Sequence, residues 1–213
     1  MEPADVADQV REAVAEEKAI GEAKERFRSR VAILIAIMAA LLAITSLGGQ
    51  NATKETINSN IQASDSFNFY QAKNIRQTAI RLTIDELTAL LGTPGLAADQ
   101  RQAITRRIDE LKATADRYES EPDPQDPDNP LKGEGKKELL RRAQYWEEKR
   151  DHAQEQDPNF DFSEALFQIA IVLGSVAIVS MSRAIVGLSM IVGAVATLLM
   201  INGFGLFVRL PFG

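Results

Sequence analysis

The sequence predicts an all-α membrane protein: three transmembrane helices plus a helical hairpin or coiled-coil domain outside the membrane. Three observations predict it. First, three uncharged apolar runs, Val31–Leu47, Ala165–Met181 and Ala184–Val208, hold 17, 17 and 25 of the 213 residues. Second, the segment between the first two runs repeats its apolar residues with helical spacing. Third, no stretch alternates apolar and polar residues with the β-branched content of a strand. A mean hydropathy of −0.14 conceals the first observation, because the apolar residues are concentrated.

Residues 1–30 read as a charged amphipathic helix. Val6, Ala13, Ile20 and Phe27 recur every seven residues, with Val10 beside them. Glu17 and Lys24 interrupt this face, so a partly disordered or loosely associating helix is favoured over a coiled coil or membrane-surface helix. Residues 31–52 form the first span. A bilayer core of roughly 30 Å needs about 20 apolar residues. No charge appears from Val31 until Lys54, which supplies 23 uncharged residues. The 30 residues before this span contain eight acidic groups, unlike the short basic start of a cleaved signal, so a retained signal anchor is expected.

Residues 53–120 read as a helical hairpin. Ile75, Ala79 and Leu82 share one face of its first arm, and Ile80, Ile84, Leu87 and Leu91 a neighbouring one. Gly92-Thr93-Pro94-Gly95 ends that arm. The second arm places Ile104, Ile108, Leu111, Ala115 and Tyr118 at 4-3-4-3 spacing, a coiled-coil seam. Residues 121–134 hold four prolines among repelling carboxylates and are expected as an exposed, extended loop. Residues 135–156 form a further helix with Leu139, Ala143 and Trp146 inward, broken by Asp157-Pro158. Ser163 is the expected N-cap of the second span, 165–182. A tight turn at Ser182-Arg183 leads to the third, 184–208.

Small residues recur at helical spacing in the spans: Ala32, Ala36, Ala40, Ala39 and Ala43; Ala170 and Gly174; Ser189, Gly193 and Thr197. Such residues let helix backbones approach closely in lipid. They are expected as packing surfaces, the third set most strongly, within one chain or between copies. Orientation follows the Lys and Arg residues near span ends. Lys24, Arg26, Arg28, Arg30 and Arg183 lie on one side, and Lys54, Lys149, Arg150 and Arg209 on the other. The expected topology has the N-terminus cytoplasmic and residues 48–164 periplasmic.

The chemistry available is narrow. The chain has no cysteine and one histidine, which excludes disulfides, thiolate metal sites and multi-histidine centres. No Asp, Glu, Lys or His lies inside a span, which weighs against a proton pump or ion-coupled transporter. Asp123, Asp126 and Asp128 lack the spacing, central glycine and closing glutamate of a calcium loop. His152 has no nucleophile pattern beside it, and Gly203-Phe204-Gly205 lacks the Lys-Ser/Thr of a phosphate loop. No catalytic residue, cofactor, metal or nucleic acid is expected. The partners expected are the lipid bilayer and either further copies of the chain or a larger membrane complex.

One constellation stands apart. Phe67, Tyr70 and Asn74 fall near one helical face, with Lys73 and Arg76 close by. A packing knot between helices or subunits is the favoured reading, ahead of an interfacial anchor or docking surface. The same stretch carries a resemblance. Leu42-Ala43-Ile44-Thr45-Ser46-Leu47-Gly48-Gly49-Gln50-Asn51-Ala52, Ala63-Ser64-Asp65 and Tyr70-Gln71-Ala72-Lys73-Asn74-Ile75-Arg76 together resemble a bacterial membrane-protein family known only as a domain of unknown function. Its members pair an N-terminal span with a C-terminal hydrophobic hairpin, and a tryptophan often stands where Phe67 is here. The resemblance implies a bacterial inner-membrane protein and no activity.

The leading expectation is therefore a non-catalytic, self-associating inner-membrane scaffold or accessory subunit. The alternative is an oligomeric pore with a hydrophobic gate, opening by wetting. An enzyme is the weakest reading, and requires a buried Asp65 or His152 in a closed pocket.

Overall fold

The computed structural model describes residues 3–129 and 131–209, and the side chains of all of these except residues 3–10, 12 and 13. The side chains of Val6, Val10 and Ala13, and all of Pro130, thus lie outside the described residues. Among the described residues four helices follow one another: α1 (Pro3–Leu91), α2 (Ala98–Glu119), α3 (Lys136–Ser180) and α4 (Arg183–Gly205). There is no strand among the described residues. Three of the four, all but α2, are long and apolar enough to cross a membrane. The chain divides into two compact units. An apolar unit comprises residues up to Thr53 and from Gln154 onward, and a polar unit comprises Lys54–Ala153.

In the apolar unit, α1, α3 and α4 pack around Met38, Phe167, Ala170 and Ala196. Two serines tie α3 to α4 reciprocally. Ser163 Oγ of α3 donates to Ala196 O at 2.8 Å, and Ser189 Oγ of α4 donates to Ala170 O at 2.7 Å. Glycines receive the large side chains. A Cβ on Gly174 would lie 2.8 Å from Ile35 Cγ1, and one on Gly193 would lie 2.5 Å from Met38 Cε. Missing side chains thus let helices approach closely where lipid removes the hydrophobic drive. Ser189 and Gly193 are buried, and Thr197 is half-buried with its hydroxyl on Gly193 O. Their neighbours Met38 and Ala170 belong to the same chain.

The alanines of the first span behave differently. Ala32, Ala36, Ala39, Ala40 and Ala43 are all exposed. The buried line is instead Val31, Met38 and Thr45, seven residues apart. It carries the bulk that fills Gly193, so the partner glycine, not the alanine stripe, sets which face turns in.

Two further expectations are corrected at Pro158 and Ser163. Pro158 does not break the chain, because α3 runs through it. Proline removes one backbone donor, a cost of about 3 kcal/mol in a helix interior. Burial on both sides offsets that cost: Ala153, Phe160 and Phe167, spaced by seven, are at most 3 % exposed. Asn159 Nδ2 also donates to Glu155 O at 3.0 Å beside the proline. Ser163 consequently lies inside α3 and caps no helix. The turn at Ser182-Arg183 holds: Met181 takes a left-handed φ of 53°, and Ser182 Oγ accepts from Ile185 N.

In the polar unit α1 and α2 form the antiparallel hairpin. Gln77 Nε2 donates to Ala115 O far from the turn, and Arg101 donates to Leu91 O close to it. Gly95, with φ of +85°, makes the turn. Ile108, Leu111 and Ala115 are buried and Ile104 and Tyr118 half-buried, so the seam of α2 is covered within the chain. On α3, Leu139 and Ala143 are buried and Trp146 half-buried. Tyr145 meets Trp146 edge-on at 5.2 Å, and Lys149 Nζ lies 5.4 Å from the indole.

Candidate functional site

The constellation around Phe67 and Arg76 lies in the polar unit, where α1, α2 and the start of α3 converge. Two lysines organise it. Lys73 Nζ lies 3.0 Å from Glu121 Oε2 and 5.5 Å from the Tyr118 ring. Lys136 Nζ donates to Gln77 Oε1 at 2.7 Å and Asn74 Oδ1 at 3.1 Å. It also pairs with Glu119 at 3.3 Å and lies 5.8 Å from the Tyr70 ring. Both lysine side chains are mostly covered, at 15 % and 12 % exposure, so their charges depend on these partners. Gln77, 2 % exposed, closes the network by donating to Ala115 O and Glu119 Oε2.

A carboxylate fixes the other end. Glu138, in the first turn of α3, accepts from Ser120 Oγ at 2.7 Å and from Glu121 N at 3.1 Å. Helix N-termini favour such a negative group. Gly135 must be glycine, since a Cβ would overlap Glu121 N and the Glu138 carboxylate. The described residues between Ser120 and Gly135 are therefore pinned and not extended. Glu134 N donates to Glu121 O, and Arg142 donates to the carbonyls of Leu131 and Gly133, each at 2.7 Å. Asp123 and Asn129 bond their own chain two residues on, which turns the backbone locally. The repulsion that argued for extension is relieved where Lys132 meets Asp126 at 2.9 Å.

The sequence singled out Tyr70, Lys73 and Asn74 within this knot, and the structure brings them together. Phe67 is half-buried, while Arg76 points to solvent. Gln77, Glu119, Glu121, Lys136 and Glu138 are knot members that sequence reasoning missed. Only Gln77 left a signal, standing seven residues after Tyr70 on the same face. Asp65 and His152 are exposed. Among the described residues no three His, Cys, Asp or Glu side chains are placed to share a metal ion. The knot pairs Lys73 and Lys136 with carboxylates and ties the loop after α2 to the start of α3.

Two carboxylates make the knot acid-sensitive. The Gln77 amide and then the Lys136 ammonium hold Glu119 below the ordinary carboxylate value of 4.5. Burial pushes Glu138 up, but the Ser120 hydroxyl and Glu121 amide outweigh it and leave its value lowered from 4.5. A lowered carboxylate contributes stability that is complete above the unfolded value and is lost as pH falls through the folded one. The polar unit is therefore expected to loosen below about pH 4.5, seen as faster amide exchange in α2. Glu138→Gln should flatten that acid response and lower stability at neutral pH.

These features define a class: an all-helical protein with three helices suited to a membrane and a polar unit closed by internal ion pairs. The chain belongs to the family described as Domain of unknown function (DUF4337), whose model matches residues 27–206. That match runs from just before the first apolar run to the end of α4. No curated protein and no solved structure matches the chain.

Proposed function

We propose that the chain is a non-catalytic, self-associating scaffold or accessory subunit of the bacterial inner membrane. In this reading α1, the second half of α3 and α4 cross the bilayer. The N-terminus is cytoplasmic and residues 48–164 are periplasmic, following the basic residues at the span ends. The observation that carries the membrane part is the inverted surface of the apolar unit. Ile33, Ile37, Val179, Ile191 and Leu198 are more than half exposed, while Thr45, Asn159, Ser163 and Ser189 are fully covered. Lipid-facing helices have this arrangement. The exposed alanines of the first span support association with a further helix. The ion-paired knot supports a structural role for the polar unit.

The test is the mass of the complex extracted in native lipid particles. Several copies of the chain are the expected result. A single copy bound to a different protein would leave only the accessory-subunit part standing. A lone single copy would overturn both. Reporter fusions at the N-terminus and within residues 121–134 would check the orientation. The pore reading requires a conduction path between copies, because Met38, Phe167, Ala170 and Ala196 fill the middle of the three-helix unit.

A further inference from the structure

The polar unit leaves one side of α1 bare. Ser59, Ala63, Ser66 and Gln77 face inward. On the opposite side Ile57, Ile61, Ile75 and Leu82 are 56, 51, 68 and 60 % exposed. Ile61, Ile75 and Leu82 stand on one line of seven-residue spacing, and Asn68, also exposed, is its remaining member. A straight helix drifts by about 20° per seven residues, so over these three repeats the line stays on one side of α1, and supercoiling about a partner would keep it in register. We propose that this line binds the same line of a second copy, the two α1 segments running parallel with Asn68 beside the partner's Asn68. This deepens the self-association reading and rests on it.

Three observations select a second copy as the occupant. An asparagine between two isoleucines opposes a purely apolar partner. Its amide carries both donor and acceptor, so an identical amide at the same level satisfies it, and in coiled coils such a residue fixes register. Charge agrees with the parallel direction. Arg81 and Glu86 flank the line on its two sides. In a parallel pair the residue just before a core position meets the partner's residue five places on, which sets Arg81 against the second copy's Glu86. Arg81 is 63 % exposed, and its contact with Glu119 is a long one at 4.0 Å. Finally, two other seams are occupied: α2 buries its own against the hairpin, and Ser189 and Gly193 are buried within the chain.

The absence of cysteine makes the test direct. Ile61→Cys and Leu82→Cys, each the sole cysteine of the full chain in native lipid particles, are oxidised mildly. Both should give disulfide-linked dimers, at least tenfold faster than Asp109→Cys on the exposed side of α2. These positions lie about 30 Å apart along the helix, so only a parallel pair links both. Ile75→Asp, at an exposed position that leaves folding intact, should suppress both links. If the particles hold several copies yet neither cysteine outpaces Asp109→Cys, this interface is wrong while self-association stands. Linking at one position alone, which an antiparallel pair produces, overturns the Asn68 pairing and with it the proposal. A single copy, alone or with a different protein, overturns the interface and self-association together.

Discussion

Gly48→Leu is expected to destabilise the apolar unit by about 3 kcal/mol, the upper part of the usual range for overpacking. The ring of Phe160 is the reason. A Cβ on Gly48 would lie 2.5 Å from Cε1, 2.8 Å from Cζ and 2.9 Å from Cδ1 of that ring. The ring has little room to retreat. The same edge meets Gly203 of α4, where a Cβ would lie 2.8 Å away. Phe204 crowds it edge-on at 4.9 Å, and Gly49 lies against its Cβ. Phe160 is 3 % exposed, so Phe160→Ala should cost a similar amount by leaving a hole. The double variant should recover part of the loss, because the leucine then occupies the space the ring vacated. Thermal melting of the full chain in lipid particles reads this directly. Additive losses in the double variant would show that the two positions do not share one space.

Gln77→Leu is expected to cost on the order of 3 kcal/mol in the polar unit, since each buried polar group left unpaired costs about 1–3 kcal/mol. The substitution removes the acceptor of a 2.7 Å bond from Lys136 and two donors, one of them to Glu119. Lys136 then keeps Asn74 and Glu119 but loses its shortest partner. Amide exchange should accelerate in α2 more than in α4. Arg76→Ala, one residue away and exposed, should stay within about 0.5 kcal/mol of the parent. Equal effects from the two would mean that the stretch acts through α1 alone and not through the knot.

Helix content, the hairpin turn and the buried seam of α2 were legible because each depends on local periodicity or on a glycine and proline in sequence. The face turned inward by the first span was not legible. Its alanines and its Val31-Met38-Thr45 line are both regular, and the choice between them is made by Gly174 and Gly193, well over a hundred residues away. Pro158 misled for a similar reason. A proline's local cost is visible in sequence, while the burial of Ala153, Phe160 and Phe167 that offsets it is not. At the knot, Tyr70, Lys73 and Asn74 were visible as a motif on one helix. Their partners come from the end of α2 and the start of α3, so only the fold assembles them.

The chain carries one tryptophan, and it sits on α3 in the polar unit, against Tyr145 and beneath Lys149. Indole emission therefore watches one half of the molecule and is blind to the other. Acid or denaturant that loosens the polar unit will shift the spectrum while the apolar unit stays optically dark. Calorimetry registers heat from both. A mismatch between the optical and calorimetric transitions would thus separate the two unfolding events without any added label.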